Sequence, residues 1–77
     1  MTNDAQEAFH SAPIVVLGVV PGDPPYRLVE INGEVAGPAY NMVDVLRLAH
    51  QAGMPHLDLD DPAVVRWVGG GTYKWVP

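Results

Sequence analysis

Cysteine is absent from the 77 residues of this chain, and serine and lysine occur once each. Without cysteine, neither a disulfide nor a thiolate zinc site can stabilise the fold, and no thiol can act as a nucleophile. The single serine, Ser11, directly follows His10 and lacks the strained, glycine-flanked turn of a hydrolase nucleophile. The sequence therefore predicts a protein that is not an enzyme and needs no cofactor.

Positive charge and long apolar runs are also scarce. Nine acidic residues against four basic ones give a formal charge of -5, which disfavours a nucleic-acid partner because phosphates repel acidic surfaces. The longest apolar run, Ile14–Val20, is much shorter than the ~20 residues that span a bilayer. Acidic groups stand near the N-terminus, where a secretory signal has basic ones. We therefore expect a cytoplasmic protein without a membrane partner. The scarcity of lysine relative to arginine, with much alanine, valine, glycine, proline and aspartate, suggests a bacterium with a GC-rich genome.

A chain of this length holds one domain, here residues 13–77, preceded by an N-terminal tail. Residues 1–12 show no sustained hydrophobic periodicity, and we expect this tail to be flexible or docked on the domain through Phe9. A domain so small buries only about 60% of the surface that its unfolded chain exposes. Small domains without disulfides are often stabilised by association. The thin margin of stability favours a homodimer or a complex with a larger protein.

Three strands are predicted before the middle of the chain. β-Branched residues dominate Ile14–Val20, which predicts a strand buried on both faces or with one face at an interface. Tyr26–Ile31 predicts a second strand, and Asn32-Gly33 predicts a type I′ turn into a short third strand at 34–36. Arg27 alternates with valine and isoleucine, so neither face of this hairpin is purely apolar. The hairpin is therefore expected at the periphery of the fold.

One amphipathic helix follows the hairpin. Asn41 is a favourable N-cap, and Asp44 stands three residues later, as in a capping box. Gly53 is the expected residue just beyond the C-terminus of the helix. Apolar residues at helical spacing define the face that should contact the sheet: Met42, Val45, Leu46, Ala49 and Ala52, with Leu48 beside them.

The segment after the helix allows two interpretations. Residues 56–59 alternate polar and apolar side chains, which predicts a strand. Residues 62–68 predict either a helical turn followed by a final strand, or the first arm of a hairpin that turns at glycines 69–71 and returns over 73–76. The fold is thus predicted to be α+β: a small antiparallel or mixed sheet of four to five strands with one helix packed on it, in the order β-β-β-α-β-(β).

His56, Asp58 and Asp60 would project to one side of the strand predicted at 56–59. One imidazole and two carboxylates on one face are ligands suited to zinc or to a hard divalent cation. A solvated strand face has the same polar composition, and an acidic residue before Pro62 is common as a turn or helix cap. These three residues are therefore weak metal-ligand candidates, and no metal site is assigned.

Aromatic and basic residues are concentrated near the C-terminus. Tryptophan, tyrosine and arginine are the residue types that most often anchor protein interfaces. The predicted partner-binding residues are Arg66, Tyr73, Lys74 and Trp75. Trp67, in the middle of the expected hairpin arm, is predicted to pack inside, whereas Trp75 is predicted to be partly exposed.

With no catalytic constellation in the sequence, interaction with a protein is the favoured function. We expect a small acidic accessory or regulatory protein that binds either a second copy of itself or a larger partner. The alternative is a small-ligand or metal-binding module that uses the face of His56, Asp58 and Asp60 or the C-terminal aromatic patch.

Overall fold

The computed structural model describes residues 12–54 and 56–77, and this part of the chain contains four strands and one helix. The elements are β1 (Ile14–Val20), β2 (Tyr26–Ile31), β3 (Glu34–Ala39), α1 (Met42–Gln51) and β4 (Val65–Trp67). The predicted α+β class and the order β-β-β-α-β are confirmed. The N-terminal tail, apart from Ala12, lies outside the described residues, and so does Phe9. Within the described residues, no helix is long and apolar enough to cross a membrane.

The four strands form one mixed sheet in the order β3-β2-β1-β4. β1 is antiparallel to β2, and β2 is antiparallel to β3, as short loops between successive strands require. β4 is parallel to β1, which is possible because α1 and the loop after it form the long crossover that a parallel pair needs. The hairpin of β2 and β3 was expected at the periphery of the fold. β3 is an edge strand, as expected, but β2 has a neighbouring strand on each side, so the prediction is wrong for β2.

The connection between β2 and β3 is the predicted type I′ turn. Asn32 and Gly33 have positive φ angles of 52° and 85°, which both central residues of this turn require. Ile31 consequently pairs with Glu34 across the turn.

β3 continues beyond the end predicted for it at residue 36. An ideal two-residue turn would place Val29 opposite Ala36, but a bulge shifts the register and Val29 pairs with Gly37. Gly37 has a φ of 149°, a conformation that residues with a side chain rarely adopt. Pro38 is tolerated in β3 because β3 is an edge strand, where the missing N–H leaves no partner unpaired.

Helix α1 begins at the predicted N-cap. The side-chain oxygen of Asn41 accepts a hydrogen bond from the backbone N–H of Asp44 at 3.0 Å. In return, the Asp44 carboxylate accepts the backbone N–H of Tyr40 at 2.9 Å, one residue before the position used in a standard capping box. Gly53, with a φ of 90°, follows the helix as expected.

The hydrophobic core lies between one face of the sheet and the helix. Nine buried apolar residues form it: Ile14, Val16, Val29, Ile31, Ala39, Val45, Leu48, Ala49 and Val65. Helix α1 packs on β2 and β3. The apolar stripe of the helix is wider than this contact, so Leu46 and Ala52, both predicted to face the sheet, are exposed.

The strand predicted at 56–59 is wrong, because side chains in this segment cap turns instead of projecting from a ladder. The carboxylate of Asp58 accepts the backbone N–H of Asp60 at 3.0 Å, and that of Asp61 accepts the N–H of Ala63 at 2.9 Å. Residues 62–64 form a turn and β4 follows at once, which is the first of the two interpretations given above.

Replacing the helix cap tests how much it contributes. Asn41→Ala removes the acceptor for the Asp44 N–H and should lower the free energy of unfolding by about 1 kcal/mol. Asn41→Asp keeps an acceptor in the same place and should leave stability close to that of the wild type. Urea unfolding of the two variants measures the difference, and equal stabilities would contradict the assigned cap.

Candidate functional site

The most unusual residue in the structure is a fully buried arginine. Arg27 lies on the core-facing side of β2, where it alternates with Val29 and Ile31, and its exposed fraction is 0%. Among the described residues, the ion pair that forms joins Arg47 to Asp44, and no carboxylate pairs with Arg27. A buried charge is costly unless its hydrogen-bonding capacity is met, so the contacts of this guanidinium decide the local structure.

Backbone carbonyl oxygens meet that need. Arg27 donates from Nε to Leu17 O at 2.7 Å, from Nη1 to Gly71 O and Lys74 O at 2.8 Å each, and from Nη2 to Val68 O at 3.1 Å and Gly70 O at 2.8 Å. A guanidinium has five N–H groups, so each has a carbonyl partner. Four of the five carbonyls belong to the segment after β4. We call this segment, residues 68–75, the C-terminal loop.

Burial lowers the pKa of Arg27 from its usual value, because removal from water penalises the charged form. An arginine ordinarily titrates so far above neutral pH that the group stays protonated. The carbonyl dipoles therefore surround a permanent positive charge, and each of these hydrogen bonds is stronger than one between neutral groups.

Two tryptophans complete the surroundings of this charge. The guanidinium carbon lies 5.2 Å from the ring centroid of Trp67 and 5.5 Å from that of Trp75, within the range of cation–π attraction. The two rings meet edge to face, with centroids 6.3 Å apart. Both indole N–H groups donate to backbone carbonyls, that of Trp67 to Leu59 O and that of Trp75 to Thr72 O.

Trp75 is partly exposed, as predicted, but Trp67, which is predicted to pack inside, is partly exposed as well. Trp67 and Trp75 are both half-buried, and both pack against the hydrophobic core. Trp75 was predicted as a partner-binding residue, but one side of its ring contacts the buried guanidinium of Arg27. In the structure, Trp75 therefore covers one side of the Arg27 guanidinium.

Glycines allow the C-terminal loop to approach Arg27 so closely. Gly69 and Gly70 have φ angles of 76° and 129°. A Cβ atom on Gly69 would lie 3.2 Å from the Cα of Gly18 in β1, and one on Gly70 would lie 2.6 Å from the Cγ of Lys74. Glycine is the residue that fits these conformations and this spacing.

The hairpin predicted from residues 64–68 and 73–76 is therefore wrong. In a ladder, successive carbonyls alternate in direction and bond to a neighbouring strand. Here the carbonyls of residues 68, 70, 71 and 74 converge on one side chain. The glycines turn the chain around the guanidinium, and the return strand does not form.

The outer surface of the C-terminal loop exposes apolar and charged groups. Tyr73 is 86% exposed, Val68 is also exposed, and Val76 is exposed just beyond the loop. Lys74 is exposed, and its side chain lies against Gly70. We call Val68, Tyr73, Lys74 and Val76 the C-terminal rim. Two of the four predicted partner-binding residues, Tyr73 and Lys74, thus lie together.

Arg66, another predicted partner-binding residue, lies elsewhere. Its neighbours in β4 are the buried Val65 and the half-buried Trp67, which faces Arg27. Because side chains alternate along a strand, Arg66 projects from the opposite face of the sheet. It is exposed there, beside Val15 of β1, and it does not belong to the C-terminal rim.

The metal-ligand candidates do not form a site. His56, Asp58 and Asp60 are exposed and lie in bends and turns. The alternation of side chains along a strand, which would place all three on one face, is therefore missing. Within residues 12–54 and 56–77, no group of three or more histidine, aspartate or glutamate side chains could hold a metal ion.

The sequence interpretation missed Arg27 as the central residue. The signal available was an arginine at a position that alternates with valine and isoleucine, in a chain with a triple glycine between two tryptophans. Nothing in the local sequence shows that carbonyls more than forty residues away will meet this side chain.

Comparison of the chain with known protein families, with curated proteins and with solved structures finds no significant match. The function of the site therefore has to be inferred from its own geometry.

Replacing Arg27 should destabilise the protein strongly. Arg27→Met keeps the approximate length but leaves five carbonyls without their donor, with an expected loss of more than about 3 kcal/mol. Arg27→Lys keeps the charge but offers three N–H donors without the planar fork, so we expect an intermediate loss. Urea unfolding followed by tryptophan fluorescence measures both.

Arg47→Met is the matched control for this experiment. Arg47 lies on the helix surface in an ion pair of 3.4 Å with Asp44, and its removal should change stability by less than about 1 kcal/mol. If Arg27→Met were as stable as Arg47→Met, the carbonyl contacts would contribute little to folding.

Two neighbouring glycines provide a second comparison. Gly70→Ala requires alanine at a φ of 129° and places its Cβ against Lys74, so we expect a loss of roughly 1–3 kcal/mol. At Gly71 a Cβ meets nothing within 4 Å and φ is not positive, so Gly71→Ala should be nearly neutral. Thermal unfolding of both variants checks this, and similar losses would refute the described loop conformation.

Proposed function

We propose that this chain is a small accessory or regulatory protein that acts by binding another protein through the C-terminal rim. The observation that carries the proposal is Tyr73, which is 86% exposed on a loop fixed from beneath by Arg27. Tyrosine is enriched among the residues that dominate binding energy at protein interfaces. Val68 and Lys74 in the same loop, and Val76 just after it, are also exposed and add apolar area and a positive charge to this segment.

The position of Tyr73 in the C-terminal loop supports a binding role. The carbonyls of Gly71 and Lys74, on either side of Tyr73, both accept hydrogen bonds from Nη1 of Arg27 at 2.8 Å. The backbone that presents the tyrosine is thereby fixed before any partner arrives. Binding by a preformed loop loses less conformational entropy than binding by a mobile one, and affinity rises accordingly.

Charge distribution supports the same surface. Residues 62–77 contain Arg66 and Lys74 and no acidic residue, whereas the whole chain has a formal charge of -5. This stretch of an acidic protein is thus net positive, and Lys74 is the residue that brings positive charge to the C-terminal rim. Such asymmetry orients encounters with a partner whose contact surface is neutral or acidic, and it contributes more to association rate and specificity than to affinity.

Truncation of Tyr73 tests the proposal. The immobilised wild type and its Tyr73→Ala variant are compared for the proteins that each retains from extracts of the native cell. A hot-spot tyrosine contributes 2 kcal/mol or more, so retention of a true partner should fall by roughly 30-fold or more in the variant. Because Tyr73 is so exposed, its replacement should leave the melting temperature nearly unchanged.

Val35→Ala is the control, since Val35 is a 61% exposed apolar residue on the edge strand β3. A partner that binds the C-terminal rim is retained by the Val35→Ala variant and lost with Tyr73→Ala. Light scattering of the same proteins shows whether the partner is a second copy of the chain, in which case Tyr73→Ala converts a dimer into a monomer. Unchanged retention and unchanged mass in Tyr73→Ala would refute the proposal.

A further inference from the structure

The side of the sheet that faces away from helix α1 carries both apolar and charged side chains. Along β2 every second side chain is buried, and the side chains between them are half-buried: Tyr26, Leu28 and Glu30. We call the side to which these three project the outer face. Helix α1 packs on the opposite, core-facing side, so within residues 12–54 and 56–77 no helix covers the outer face. Its apolar side chains gain free energy when a second surface covers them.

One row of paired residues crosses the outer face on all four strands. Val15 of β1 pairs with Glu30 of β2 on one side and with Arg66 of β4 on the other. Glu30 pairs in turn with Val35 of β3. The adjacent row, centred on Ile14, projects into the core, so the row of Val15 projects from the outer face. An acidic and a basic residue therefore flank the same valine.

The two charges of this row balance each other without touching. Neighbouring strands lie about 4.8 Å apart, so the backbones at Glu30 and Arg66 are roughly 10 Å apart. Within the described part of the chain, neither residue forms an ion pair. The acidic residue at the start of β3, Glu34, pairs with the core residue Ile31 and so belongs to the other side of the sheet. The strands thus give the outer face one charge of each sign, although the whole chain has a formal charge of -5.

We propose that two copies of this chain pack outer face to outer face, around a twofold axis that runs along β1 at Val15. Rotation about this axis places β2 of each chain over β4 of the other. Glu30 of each chain then faces Arg66 of the other, and the two Val15 side chains meet between the two ion pairs. Packed sheets keep their strands within about 30° of each other at a separation of about 10 Å, which the side chains of both layers fill.

The charges select this axis over the other symmetric arrangement. A twofold axis across the strands would place Glu30 opposite Glu30 and Arg66 opposite Arg66, and like charges directly opposite each other repel. The axis along β1 replaces both repulsions with attractions. A second copy is therefore a partner whose charges match this face. The inference rests on residues other than those of the C-terminal rim and does not depend on the function proposed for it.

Charge reversal tests the interface. Glu30→Lys creates two contacts between basic groups across the axis, and Arg66→Glu creates two between acidic groups. Each variant alone should raise the dissociation constant of the dimer roughly tenfold or more, as measured by sedimentation equilibrium. Glu34→Lys is the matched control, because it changes the net charge by the same amount as Glu30→Lys but lies outside the outer face. Its dissociation constant should stay close to that of the wild type.

A mixture of the two charge variants gives the decisive result. A Glu30→Lys chain facing an Arg66→Glu chain has opposite charges at both contacts, so an equimolar mixture should dimerise about as tightly as the wild type. Misfolding of either variant cannot produce this recovery. A monomeric wild type at high micromolar concentration, or a mixture that associates no better than the separate variants, would overturn the proposal. A dimer that Tyr73→Ala dissociates and both charge variants retain would place the contact at the C-terminal rim and would also overturn it.

Discussion

The fold depends on one charged side chain that has no charged partner. Arg27 is fully buried, and its five N–H groups bond to the carbonyls of Leu17 and of four residues in the C-terminal loop. β4 is only three residues long and pairs with β1 alone. The strand ladder therefore holds little of the chain after residue 64, and the guanidinium supplies what the ladder lacks. In a protein without disulfides, this contact replaces a covalent staple.

The apolar core and the arginine site divide the same face of the sheet between them. Helix α1 covers β2 and β3, where Val29 and Ile31 meet Val45 and Ala49. Arg27 lies at the other end of β2, with Trp67 and Trp75 around it. An apolar side chain in its place would leave the loop carbonyls unpaired. Because hydrogen bonds are directional, the guanidinium specifies one path for the loop, whereas apolar packing would allow several.

Local signals in the sequence predicted local structure well. The turn at Asn32-Gly33 and the cap at Asn41 form as predicted, because each needs only residues within a few positions. The alternation at 56–59 misled, since the Asp58 carboxylate accepts the backbone N–H of Asp60 and stabilises a turn in place of a strand. Arg27 could not be assigned at all, because four of its five carbonyl partners follow it by more than forty residues. At Arg27 and in the C-terminal loop the predictions failed because the structure depends on contacts distant in sequence, whereas at 56–59 a competing local hydrogen bond overrode the pattern.

The same dependence connects stability to the proposed binding surface. Tyr73 contacts solvent, yet its backbone is held by carbonyls that bond to a residue inside the protein. A substitution at Arg27 or Gly70 therefore changes the shape of the C-terminal rim without altering a single exposed side chain of it. The proposed binding surface and the fold depend on one set of hydrogen bonds, so the rim keeps its shape only while the carbonyls stay bonded to Arg27. In a small domain with a thin margin of stability, the shape of this surface loop is thus a consequence of the hydrogen bonds that the buried guanidinium requires.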